Sequence, residues 1–130
     1  MARWHGISRR KPSGGRLKRP NRYRGKRRTE IAAEKQFTVL GEPSRKVYRK
    51  RSGSQTVRVM SDNIINVNDP SKGKTVRATM VTVLDSPADA NFVRRNILTK
   101  GAVVDTDKGK VRITSRPGKD GVINGVLVDE

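Results

Sequence analysis

Few side chains in this sequence could carry out covalent or acid–base chemistry. Its 130 residues include no cysteine, which removes a thiol nucleophile, thiolate metal sites and disulfides, and a single histidine, His5, which excludes any site needing two. His5 has no acidic neighbour to orient it, so RNA contact or ring stacking suits it better than proton transfer. Gly73-Lys74-Thr75 ends like a phosphate-binding loop, but the first glycine of that loop is replaced by Asn68, and a strand pattern follows where a helix is required. Asp105 and Asp107 fall on one strand face, as a carboxylate pair would. They flank a hairpin turn, however, and nothing apolar nearby would raise a pKa, so they read as solvated strand-end charges. Ser13-Gly14-Gly15 lacks the preceding strand of a nucleophile elbow. This inventory predicts no enzyme, no metal and no cofactor.

What the chain does carry is positive charge. Thirty Lys and Arg face 12 Asp and Glu, a net +18 that repels itself and calls for an anionic partner. Two thirds of the excess lies in residues 1–28, which hold twelve basic residues and no acid: Arg3, Arg9, Arg10, Lys11, Arg16, Lys18, Arg19, Arg22, Arg24, Lys26, Arg27 and Arg28. A block of like charge is ordinarily a solvated run. Three features favour nucleic acid here. Nine of the twelve are arginine, which forks onto phosphate and stacks on bases. Trp4 and Tyr23 stand among the charges as stacking rings. Gly14 and Gly15, beside Ser13, allow positive φ and let the backbone approach a phosphate without a Cβ in the way. With no recognition helix, zinc site or zipper heptad, the segment fits an arm threaded between folded RNA segments better than a groove reader. A second basic surface is expected from Lys46, Arg49, Lys50 and Arg51 together with Arg94, Arg95, Arg116 and Lys119. The competing reading is that these simply balance Asp62, Asp85, Asp89 and Asp120.

The elements that must position these groups divide the chain. Residues 1–35 form a basic extension: Gly6, Gly14, Gly15, Gly25, Pro12 and Pro20 interrupt it, and its apolar residues follow no period, so it is expected to order only on a partner. Thr29–Gln36 has a short helical tendency. From Gln36 to residue 130 the period is 2, with strands expected at Phe37–Leu40, Arg45–Arg51, Gln55–Met60, Ile64–Val67, Lys74–Leu84, Val111–Thr114 and Val122–Val128. One more, Ile97–Leu98 with Ala102–Val104, is expected to bend around Gly101. A helix is expected to start at Ser86-Pro87-Ala88-Asp89, with Ser86 as its cap. Residues 116–121 read as a loop. The fold class is therefore mainly β: a small antiparallel β-barrel of about six to seven short strands with one short helix, after an extended basic arm. A barrel is preferred to a sandwich because closure removes exposed edges. No apolar run reaches the length of a membrane span, and no signal-peptide core stands at the N-terminus.

Trp4-His5-Gly6, Ser8, Arg10-Lys11 and Ser13-Gly14-Gly15-Arg16 resemble the N-terminal signature of the S8e family, small-subunit ribosomal proteins of the archaeal and eukaryotic type. Asp69-Pro70, Val93-Arg94-Arg95-Asn96-Ile97, Thr99-Lys100-Gly101-Ala102, Thr114-Ser115-Arg116-Pro117-Gly118 and Asp120-Gly121-Val122-Ile123-Asn124 extend the likeness to about Leu127. The short length is similar to the archaeal branch. The resemblance implies a β-barrel-like body on the 30S subunit and an N-terminal extension buried in 16S rRNA. It implies RNA contact at Trp4, His5, Arg10, Lys11, Ser13, Gly14, Gly15 and Arg16, and neighbouring small-subunit proteins as partners in the cytoplasm. Two other classes would share the arm: a non-ribosomal nucleic-acid binder such as a chromatin packer or RNA chaperone, and a cationic scaffold for an acidic protein.

Overall fold

The computed structural model describes residues 3–4, 8, 10–18, 27–32 and 34–128. The chain divides into two units, residues 1–35 and 36–130.

In the first unit, β1 (Arg3–Trp4) pairs antiparallel with β2 (Ile31–Ala32), which follows a single 3-10 turn at Arg28–Glu30. The helical tendency assigned to Thr29–Gln36 is thus not realised. One turn is too short to propagate, and Ile31–Ala32 satisfies its backbone across to Arg3–Trp4 instead. The first unit also holds a hairpin around Pro12-Ser13-Gly14, with Arg10 and Arg16 bridged antiparallel.

The second unit comprises a four-stranded sheet and a closed barrel. β3 (Thr38–Leu40), β4 (Ser44–Arg49), β5 (Gln55–Asp62) and β8 (Ile97–Leu98) form the sheet, in the order β4-β5-β3-β8. β6 (Ile64–Asp69), β7 (Lys74–Asp85), β9 (Val103–Thr106), β10 (Gly109–Ile113) and β11 (Asn124–Leu127) close the barrel, in the order β10-β11-β6-β7-β9. Turn chemistry explains the two barrel hairpins. Between β6 and β7, Asp69 Oδ1 accepts from the N–H groups of Ser71 (3.0 Å) and Lys72 (3.3 Å), and Gly73 takes φ +60°. Between β9 and β10, Thr106 Oγ1 donates to the Gly109 carbonyl at 2.7 Å, where φ is +119°. The first of these turns is the segment that resembled a phosphate-binding loop, and the second is the one that offered a carboxylate pair. Asp107 spends Oδ1 on the Thr79 N–H at 3.0 Å and faces Lys108 at 3.7 Å.

Most pairings are antiparallel, but β11 runs parallel to β6 and β3 parallel to β5. The core follows the period of 2: Ile65 and Val67 on β6, Ala78 and Met80 on β7, Val104 on β9, and Val111 and Ile113 on β10 are buried, and Val59, Val83, Leu98, Ala102 and Ile123 complete the cluster. Val76, expected on the same face as Ala78 and Met80, is 48% exposed, three residues past Gly73 of the β6–β7 turn. Register irregularities between Met80 and Thr82 and between Val83 and Asp85 change the alternation, so that Val83 is buried as well.

Three local expectations are corrected. α1 (Ala90–Arg94) is capped by Asp89, whose side chain accepts from the Asn91 N–H at 2.9 Å. Ser86 is buried and its hydroxyl meets that of Thr99 at 3.4 Å, so it is not available as a cap. Residues 116–121 are not a plain loop: α2 (Pro117–Asp120) has Pro117 in its first turn and ends at Gly121, φ +76°. Finally, Ile97–Leu98 and Ala102–Val104 are not one bent strand. Gly101, φ +90°, lies where the chain leaves β8 in the sheet before entering β9 in the barrel.

Candidate nucleic-acid interface

In the arm, the three-residue loop Pro12-Ser13-Gly14 is closed by hydrogen bonds from the Gly14 N–H to the Lys11 carbonyl (2.9 Å) and from the Lys11 N–H to the Gly15 carbonyl (2.8 Å). Pro12 pre-sets its own φ, and Gly14 takes the left-handed value of +83° that closing a three-residue hairpin requires. Arg10 fastens the loop through Nη1 to the Gly14 carbonyl at 2.9 Å, and its N–H reaches Ser8 Oγ at 3.2 Å. The structure therefore separates two glycines that the sequence treats as a pair: only Gly14 has positive φ, while Gly15 would place a Cβ 3.8 Å from Ser13 Oγ, an ordinary contact. Arg3, Arg10, Lys11, Ser13, Gly14, Gly15, Arg16, Lys18, Arg27 and Arg28 are all exposed, and Trp4 lies on β1. His5, Arg9, Arg19, Arg22, Tyr23, Arg24 and Lys26 lie outside the described residues.

On the second unit the predicted cations separate into groups. Arg49, Lys50 and Arg51 run to the tip of the β4–β5 hairpin, whose turn is closed by Lys50 and Ser54 and by Gly53 at φ +85°. Lys46 lies opposite Arg58 in the ladder, and both cations sit over the Tyr48 ring, at 5.4 Å and 4.8 Å from its centroid. The Tyr48 hydroxyl donates to Gln36 Oε1 at 2.8 Å. Arg94 is exposed at the end of α1, and Arg95 places its guanidinium 5.8 Å from the Phe37 ring centroid. Arg116 and Lys119 line an open groove of about 530 Å³ together with Arg58, Lys100 and Phe37.

Arg58, Lys100, Phe37 and Tyr48 are absent from the sequence-based site. Arg58 had a readable signal, since the alternation Val57-Arg58-Val59 sends it away from the core. Lys100 stands inside Thr99-Lys100-Gly101-Ala102, where family likeness and not charge is the visible signal. The acids proposed as balancing charges make other bonds than ion pairs with these cations. Asp62 pairs with Arg45 at 3.2 Å and accepts from the Ile64 N–H; Asp85 accepts from the Ser86 N–H, and Asp120 from the Arg116 N–H at 2.8 Å, while Asp89 caps α1. Among the described residues, none of Lys46, Arg49, Lys50, Arg51, Arg94, Arg95, Arg116 and Lys119 forms an ion pair with those four acids. No group of three or more metal-ligating side chains occurs among the described residues, and none of their helices is long and apolar enough to cross a membrane.

A family model for ribosomal protein S8e matches residues 4–128. The chain belongs to that family. S8e relatives include the small ribosomal subunit protein eS8 of Nanoarchaeum equitans, 52% identical over 107 residues, covering 82% of this chain and 84% of the relative. The eS8 proteins of Methanococcoides burtonii (44% over 126 residues; 97% of this chain, 98% of the relative) and Methanosarcina barkeri (43% over 127 residues; 98% and 99%) match almost end to end. S8e is a family of ribosomal structural proteins, not of enzymes.

Proposed function

We propose that this S8e chain is a structural constituent of the small (30S) ribosomal subunit in the cytoplasm, and that it binds 16S rRNA through residues 1–35 and through basic surfaces of residues 36–130, beside neighbouring small-subunit proteins. The observation that carries the assignment is near end-to-end similarity to relatives named small ribosomal subunit proteins. The mode of binding rests on charge. Twelve Lys and Arg without one acid in residues 1–28 supply counterion release, and the exposed Gly14 loop offers backbone close to a phosphate. The chain is expected to co-sediment with small subunits at moderate salt and to be released by ribonuclease. A complex that survives ribonuclease would instead indicate an acidic protein partner, and absence from subunits would indicate another nucleic-acid role.

The body's share can be isolated. Replacing Arg94, Arg95, Arg116 and Lys119 together with Ser should make the plot of log K against log salt about three units shallower, at roughly 0.7 per lost phosphate contact. Unchanged affinity and slope would return these residues to the status of solvent charges.

The hairpin gives a second expectation. Gly14→Val forces a β-branched side chain into left-handed backbone at a cost of roughly 1–2 kcal/mol, so reconstitution competition should show about tenfold weaker incorporation. Gly15→Val should be nearly neutral. Arg10→Ala, which removes the fastening bond to the Gly14 carbonyl, should fall between them. Equal incorporation of Gly14→Val and wild type would reduce the loop to a hinge.

A further inference from the structure

We infer that the groove beside α2 is a binding site for an unpaired RNA nucleotide, its phosphate among the cations and its base against Phe37, and not a contact for duplex backbone. The inference rests on the proposed rRNA-binding role and specifies what one surface takes. Four cations from separate parts of the chain converge there: Arg58 from β5, Lys100 from the segment after β8, and Arg116 and Lys119 from the α2 region. No acid lines the groove, and none of the four forms an ion pair among the described residues. Like charges gathered around one concavity repel one another, and an anion placed between them relieves that repulsion.

Charge alone would suit any polyanion; shape and ring chemistry narrow the choice. At about 530 Å³ the groove falls within the size of small-ligand clefts. Duplex RNA is instead read by shape across successive minor grooves, a footprint this concavity cannot offer. Phe37 is half-buried, packs 5.1 Å from the Phe92 ring with the planes tilted by 56°, and has the Arg95 guanidinium 5.8 Å from its centroid, so neighbours that favour one orientation are already in place before any ligand arrives. An aromatic ring beside phosphate-binding cations is the combination that stacks single-stranded bases without regard to sequence. An acidic peptide could use the cations but has no counterpart for the ring.

The test is a nuclear magnetic resonance titration of the full chain with pentauridylate, a short RNA duplex and an oligoglutamate peptide, at equal charge concentration and fixed salt. The expected result is saturable shifts at the Lys100 and Gly118 amides and the Phe37 ring with pentauridylate, at least about fivefold weaker with the other two. Phe37→Leu should weaken pentauridylate binding at the groove by about five- to tenfold, the low end of a lost base–aromatic stack. Lys100→Gln with Lys119→Gln, both at exposed positions, should weaken it comparably, and serves alone should Phe37→Leu disturb the barrel. Shifts confined to residues 1–35, equal response to the duplex or the peptide, or no change in the double glutamine variant overturns the inference. Its failure is distinct from that of the ribosomal role. A wild-type chain that co-sediments with small subunits while its groove ignores pentauridylate fails only here, whereas a chain that does not enter subunits fails the broader reading.

Discussion

Deleting residues 2–28 is expected to remove most of the salt dependence of rRNA binding while leaving the body folded. If the arm contributes about eight phosphate contacts, its share of the slope of log K against log salt is roughly −6. The truncated chain should keep roughly −3 from the body and bind at least a hundredfold more weakly at moderate salt, about what losing that many contacts implies. Folding should survive because every backbone pairing of the sheet and barrel lies at or beyond Thr38. The truncation costs the β1–β2 pair, two residues on each side, and two-stranded pieces of that size contribute little by themselves. Filter binding across a salt series and far-ultraviolet circular dichroism measure the two halves. A truncated chain that loses its β signal, or one that keeps the full slope, would contradict the division of labour between arm and body.

How far the sequence reveals this arrangement depends on whether a feature is local. The strands were legible because alternation is a property of neighbouring residues: β5, β6 and β7 each begin at the expected residue, and extend one or two residues past the expected end. Pairing partners were not legible. Nothing near Asn124–Leu127 indicates that it runs parallel to Ile64–Asp69, because that choice is made by barrel closure across the chain. Caps failed for the same reason. Ser86-Pro87 has good local chemistry for a helix start, but Ser86 is taken by the core and Asp89 does the capping. The site shows a parallel split. The arm's charge is visible by counting, whereas the groove draws Phe37, Arg58, Lys100 and Arg116 from positions up to 79 residues apart, and only the fold brings them together.

Gly125 carries the largest expected effect on stability, and it too is visible only in the fold. A glycine inside a strand ordinarily weakens it, or marks a place where other groups come close. Gly125 lies on β11 between β10 and β6, opposite Ile113 on one side and Val67 on the other. A Cβ there would collide with Val111 Cγ1, stand 2.9 Å from the Arg112 carbonyl oxygen and 3.1 Å from Ile65 Cδ1. Val111 and Ile65 are fully buried, so neither side chain can swing into solvent. The Arg112 carbonyl belongs to the backbone of the β10–β11 ladder and cannot retreat without loosening it. Gly125→Ala should therefore cost about 1–3 kcal/mol through overpacking, lowering the melting temperature of the body by roughly 5–20 °C. Gly125→Val should exceed that. Gly118→Ala is the control: nothing lies within 4 Å of its Cβ position and its φ is not positive, so it should stay within about 0.5 kcal/mol of wild type. Urea and thermal unfolding decide the matter, and a Gly125→Ala protein as stable as wild type would mean that the barrel interior yields where the packing says it cannot. The same variant separates stability from affinity: above its melting point the groove is lost, but the arm keeps all of its charge, and a salt slope near −6 should persist.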